Sequence, residues 1–173
     1  FSVNLSAQSF EDNSVLRHIE DSLRQHNLPA QALILEITEQ MAIRHLDRTR
    51  EFIRSLLDVG CRFALDDFGA GFSSFSNLKN LPVDYIKISQ PFIENLATDS
   101  VDQAMVKSII QIARSLGRLT VAEYVQDART IELLREFGVD YAQGNYIGKA
   151  QDHPQMEVFQ RYAPKKWPGI ARG

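Results

Sequence analysis

Residues 64–74 read ALDDFGAGFSS, an apolar run that closes on two adjacent carboxylates, Asp66 and Asp67, and passes at once into a glycine-punctuated loop. Neighbouring acids repel each other and resist leaving water. A sequence shaped by folding alone seldom sets them at the tip of a buried strand. A bound divalent cation removes that objection. The same pattern, a polar residue closing a short apolar run, recurs at Asn4, Glu36, Lys87 and Glu123.

Working outward, short apolar segments at 2–5, 33–38, 62–66, 84–88, 119–123 and 140–143 read as strands. Amphipathic segments at 14–26, 46–59, 101–116 and 128–137 read as helices between them, with a further one at 154–162. In the 101–116 helix, Val101, Met105, Ile109, Ile112 and Leu116 are expected to form the stripe that faces the sheet. Asp12 or Asn13 and Asp99 or Ser100 are candidate N-caps, and Gly60, Gly117 and Gly138 stop three helices. The repeated order of helix, glycine, strand and polar residue is that of βα units around a parallel sheet.

An open doubly wound sheet gathers its site near one switch point, whereas a barrel gathers it from the C-terminal ends of many strands. Five of the six strands carry a polar or ionisable group at or near that end, and no GxGxxG or P-loop pattern is present. The expected fold is therefore α/β, a TIM-like (β/α)8 barrel of which about six of the eight strands are in this chain.

The 173 residues suffice for one core, and 44% apolar with 24% charged residues is the balance of a globular domain. A net charge of −3 argues against a binder of nucleic-acid polymers or membrane surfaces. No apolar run reaches the roughly 20 residues of a membrane span. The single cysteine, Cys61, reads as a buried thiol in a reducing, cytoplasmic compartment. His18, His26, His45 and His153 read as solvated surface groups.

Brought to one rim, Asn4, Glu36, Asp66, Asp67, Lys87, Glu123 and Gln143 place four carboxylates against one lysine. That excess calls for cations. Oxygen-only donors suit Mg²⁺, Mn²⁺ or Ca²⁺ rather than Zn²⁺. A carboxylate such as Asp66 can bridge two ions, the arrangement that clamps a phosphodiester, with Lys87 beside the nucleophile or a phosphate oxygen. Singly, each residue has a plainer reading: Glu36 as an interior carboxylate, Asn4 as a turn cap, Asp67 as an N-cap, Lys87 as an ion-pair partner. The joint pattern carries the weight.

The motifs SVNLS (2–6), LEITE (35–39), DDFGAGFSS (66–74), LPVDYIKI (81–88), VAEYV (121–125) and YAQGNYIG (141–148) occur in the order and spacing of a known family. Through them the chain resembles the EAL domain of bacterial cyclic-di-GMP phosphodiesterases up to about residue 150. The resemblance implies hydrolysis of cyclic-di-GMP to linear pGpG with two Mg²⁺ or Mn²⁺ ions. It implies Asn4, Glu36, Asp66 and Asp67 as metal ligands, Lys87 and Glu123 as catalytic residues, and Gln143 as a ligand-binding residue. Glu39 is implied as the anchor of loop 69–76, which in the family links homodimerisation to activity.

The resemblance also sets expectations about organisation. Residues 1–163 form a partial EAL domain and 164–173 a disordered tail. The signature EAL glutamate falls before Phe1, so the 173 residues alone are expected to turn over little substrate. Sensory or GGDEF domains, and a membrane anchor, belong to the parent chain. Ser89 stands in place of a common aspartate and Gln126 in place of a second glutamate. The alternative reading is therefore a degenerate domain that binds cyclic-di-GMP without cleaving it.

Overall fold

The computed structural model describes residues 1–10, 12–44, 46–70 and 78–149. The expected helix at 154–162, the tail 164–173, His45, His153 and all but the first two residues of loop 69–76 lie outside the described residues.

Six strands form one sheet: β1 (Ser2–Asn4), β2 (Ile34–Thr38), β3 (Arg62–Phe68), β4 (Tyr85–Ile88), β5 (Leu119–Ala122) and β6 (Tyr141–Ala142). All neighbours are parallel, and the spatial order is the chain order, β1 to β6. A doubly wound sheet would reverse direction at a switch point. This one does not, and sequential parallel order is that of a (β/α) barrel wall.

Helices α1 (Asn13–Gln25), α2 (Glu39–Arg44), α3 (Leu46–Val59), α4 (Gln90–Glu94), α5 (Ser100–Ser115) and α6 (Ala128–Phe137) join the strands. Asp12 caps α1 by accepting the Ser14 N–H at 2.8 Å, and Asp99 caps α5 by accepting the Val101 N–H at 2.7 Å. Gly138 ends α6 in the left-handed conformation. Among the described residues, no helix is long and apolar enough to cross a membrane.

The two short helices, α2 and α4, were not expected from the sequence, because five or six residues are too few to show a helical period. The stripe on α5 is also corrected. Its buried residues are Val106, Ile109, Ile110 and Ala113, whereas Val101 and Met105 are exposed at 66% and 39%. The buried positions recur at i, i+3, i+4 and i+7 from Val106, so the face turned to the core is rotated around the helix axis away from Val101 and Met105.

Strand alternation divides the sheet into two faces. Leu35, Ile37, Phe63, Leu65, Ile86 and Ile88 are almost wholly buried and share one core with Ile53, Leu56, Val106, Ile110 and Leu134 of the helices. Each such side chain contributes about 1.5–3 kcal/mol on removal from water. The other face presents Ile34, Ala64, Tyr85, Val121 and Tyr141, and two residues further along each strand stand Glu36, Asp66, Lys87, Glu123 and Gln143. A period of two thus delivers the expected site residues to one end of one face.

The opposite end of the sheet is pinned by a repeated device. Val83-Asp84-Tyr85 and Val139-Asp140-Tyr141 open β4 and β6 with the same three residues. Asp84 Oδ2 accepts the Phe63 N–H at 2.9 Å, and Asp140 Oδ2 accepts the Thr120 N–H and Oγ1–H, both at 2.8 Å. Each aspartate therefore clasps the start of the preceding strand.

Candidate functional site

Lys87, 5% exposed on β4, is the hub of the rim. Its Nζ donates to Glu36 Oε2 at 2.6 Å and lies 2.9 Å from both Asp66 Oδ1 and Glu123 Oε1, so three neighbouring strands meet at one ammonium. Gln143 Nε2 donates to the same Glu123 oxygen at 2.7 Å. Burial works against the charged lysine, but the hydrogen bonds to Glu36, Asp66 and Glu123 more than offset it, and the ammonium is held above lysine's ordinary pKa. Burial pushes the Glu123 carboxyl up to about 7; Lys87 opposes the rise and Asp66 adds to it.

The adjacent aspartates sit inside β3 rather than beyond its tip. Pairing of β3 with β4 shifts between Leu65 and Phe68, and Asp67 takes a left-handed φ of 53°. In a regular strand successive side chains point to opposite faces. A bulge re-aims one of them. Here Asp66, Asp67 and Glu123 each bring one carboxylate oxygen to within 4.8 Å of the others. The Asp67 N–H closes the bulge on Asp66 Oδ1 at 3.0 Å.

These three acids border a cleft of about 400 Å³ whose other walls are Gln90, Tyr124, Gln126, Gln143, Gly144 and Asn145. No lysine or arginine is among those lining residues. Four carboxylates at the rim against Lys87 leave a formal charge of about −3. The donor set, all carboxylate oxygen and clustered at metal-bridging range, fits a hard divalent cation. A larger groove of about 520 Å³ between α6 and β6 shares no lining residue with the cleft and has no acid cluster.

Two expected site residues stand apart from this cluster. Asn4 ends β1 in register with Glu36, exposed, and takes no part in the hydrogen bonds that join the cluster. Glu39, 4% exposed, turns away and accepts the Gly69 N–H through Oε2 at 3.0 Å. Ser89 is fully buried, and its hydroxyl donates to the Phe68 carbonyl at 3.1 Å, which fastens the end of β4 to the bulged end of β3. Gln126 lines the cleft, where its Oε1 accepts from Asn145 Nδ2 at 3.3 Å. Sequence reading missed Gln90, Tyr124, Gly144 and Asn145 as cleft residues; all four lie within three residues of Lys87, Glu123 or Gln143.

The profile of the EAL domain family matches residues 1–150. The chain belongs to the EAL domain family. This EAL sequence is 43% identical over 150 residues to the cyclic di-GMP phosphodiesterase PdeB of Shewanella oneidensis, covering 87% of this chain and 18% of that protein. It superposes on the PaMucR phosphodiesterase in complex with c-di-GMP with a TM-score of 0.80 and 37% identity, over 86% of this chain and 60% of that one. It also matches a manganese/cyclic-di-GMP complex of Klebsiella pneumoniae BlrP1, with a TM-score of 0.78 and 29% identity, over 83% of this chain and 37% of that one. The chain thus spans about a fifth of the length of the curated relative and less than two thirds of these solved chains. Within that span the fold is that of an EAL domain.

Proposed function

We propose that this chain carries most of the catalytic rim of a cyclic-di-GMP phosphodiesterase, which in the full-length protein hydrolyses the cyclic dinucleotide to linear pGpG. The observation that carries this reading is the convergence of Asp66, Asp67 and Glu123 on an open cleft beside buried Lys87. An anionic phosphodiester cannot enter that cleft against bare carboxylates. Asp66, Asp67, Glu36 and Asn4 would hold two Mg²⁺ or Mn²⁺ ions, which would supply the charge neutralisation and Lewis-acid polarisation that the reaction needs.

The chain's own groups prepare the site. Lys87 fixes one oxygen of each of three carboxylates and leaves their remaining lone pairs for ligation. In the reaction one carboxylate would turn from the ammonium toward a metal ion, the freed Lys87 N–H would hold the attacking water, and Glu123 would receive its proton. Gln143 locks the Glu123 rotamer. Glu39 anchors the start of loop 69–76, through which the domain pairs with a second copy. The parent protein works in the cytoplasm, with sensory or GGDEF domains outside this chain.

The test is incubation of the purified full-length protein with c-di-GMP and Mg²⁺ or Mn²⁺, followed by chromatographic detection of pGpG. Turnover that disappears in Glu123→Gln supports the enzyme reading. Ligand binding without turnover selects the receptor reading, which Ser89 and Gln126 favour by departing from the family pattern. Sedimentation with and without ligand tests the dimer.

A further inference from the structure

Tyr124 has a φ of 56°, in the left-handed region where a bulky aromatic residue is an outlier. Strain of this kind persists only where the surroundings over-determine it, and both neighbours of Tyr124 are fixed. On one side, Glu123 is tied through its side chain to Lys87 and Gln143 and through its N–H to the Ile88 carbonyl at 3.3 Å. On the other, Val125 is fully buried, donates its N–H to the Gln143 carbonyl at 3.0 Å and accepts the Tyr146 N–H at 3.0 Å. Gly144 presses its backbone onto Val125 so closely that a Cβ there would overlap the Val125 nitrogen and oxygen.

Folding does not use what this strain positions. Glycine would hold the same backbone without cost, and a core role would bury the ring. Tyr124 is instead 38% exposed and lines the cleft that holds Asp66 and Asp67. Beside it in the cleft stand the amides of Gln90, Gln126 and Asn145, groups that each offer a donor and an acceptor. A flat aromatic face flanked by amides, next to a site for a phosphodiester, is the chemistry that receives a nucleobase.

We propose that Tyr124 is a stacking platform for one purine base of the cyclic dinucleotide, which makes it an affinity-determining residue of this chain. The proposal rests on the dinucleotide reading given above. It predicts that the ring contributes to ligand affinity and the hydroxyl does not.

The experiment is calorimetric titration of the full-length protein with c-di-GMP in the presence of Ca²⁺, alongside steady-state kinetics with Mn²⁺. Tyr124→Ala is expected to weaken binding about tenfold and Tyr124→Phe to stay within about twofold of the wild type, the behaviour of a base–aromatic stack. Tyr124→Gly, which relieves the backbone, is expected to melt no lower than the wild type and yet to bind as poorly as Tyr124→Ala. In the kinetics the loss falls on KM rather than kcat. Wild-type affinity in Tyr124→Ala or Tyr124→Gly would overturn the stacking role and leave the dinucleotide reading standing. Absence of c-di-GMP binding by the wild type itself would overturn both.

Discussion

Glu36 and Lys87 occupy a closed ion lattice on the inner side of the rim, 6% and 5% exposed, whereas Asp67 and Tyr124 stand on its outer lip, open to the cleft and both in left-handed backbone. The inner side is saturated: the lysine spends its hydrogen bonds on three carboxylates. The outer side is unsaturated and strained. One side holds the strands together at their tips, and the other keeps donors available for something that arrives from solvent. Charges that stabilise the barrel and charges that do chemistry are thus neighbours with different dependencies.

Breaking the inner side is expected to have the largest effect on stability. Lys87→Ala leaves buried carboxylates without a counter-charge, and a loss of about 3–5 kcal/mol in denaturant unfolding is expected. The double variant Glu36→Gln, Lys87→Met recovers part of it; equal loss in both would show that the lattice is not the source. Next comes the hinge between the two sides. Gly144→Ala is expected to cost about 1–3 kcal/mol by overpacking against the Val125 backbone, and to lower c-di-GMP binding together with stability.

A cap remote from both sides calibrates the scale. Asp127 accepts the Thr130 N–H and hydroxyl at 2.8 Å, and these bonds hold its carboxyl below the ordinary carboxylate value. A lowered pKa contributes stability above the unfolded value of 3.8 that is lost as pH falls through the folded one. Asp127→Ala is therefore expected to unfold about 1 kcal/mol more easily near neutral pH. In parallel melts the gap narrows as pH falls below 3.8 and through the lower folded-state value. Smallest in stability is the outer lip itself. Asp67→Asn keeps a residue that tolerates left-handed backbone and should stay within about 0.5 kcal/mol of the wild type. Mn²⁺ affinity should fall all the same, and a variant that bound Mn²⁺ normally would remove Asp67 from the metal centre.

The inner side was the more legible in sequence. Apolar runs that end in Glu36, Lys87 and Glu123 state both the strand and the residue that closes it, and parallel neighbours carry those ends to one rim. The outer lip depends on backbone conformations that composition does not encode. The bulge at Asp66 and Asp67 exists only in the pairing of β3 with β4, so residues 62–66 read as a strand that stops before it. Tyr124 reads as an ordinary strand-end aromatic until its φ is known. The phase of α5 was misread because Val101 and Met105 have the residue types of a buried stripe, while the face that packs runs through Val106, Ile109, Ile110 and Ala113.

The clasps formed by Asp84 and Asp140 give the far end of the sheet a stake in catalysis. A strand that slipped by one residue would move its terminal group about 3.3 Å and turn it to the opposite face. By tying β4 to β3 and β6 to β5 at their first residues, the two aspartates set the alignment of Lys87 with Asp66 and of Gln143 with Glu123 at their last. Gauge and working edge lie at opposite ends of the same strands. A mutation beneath the barrel can therefore detune a site it never touches.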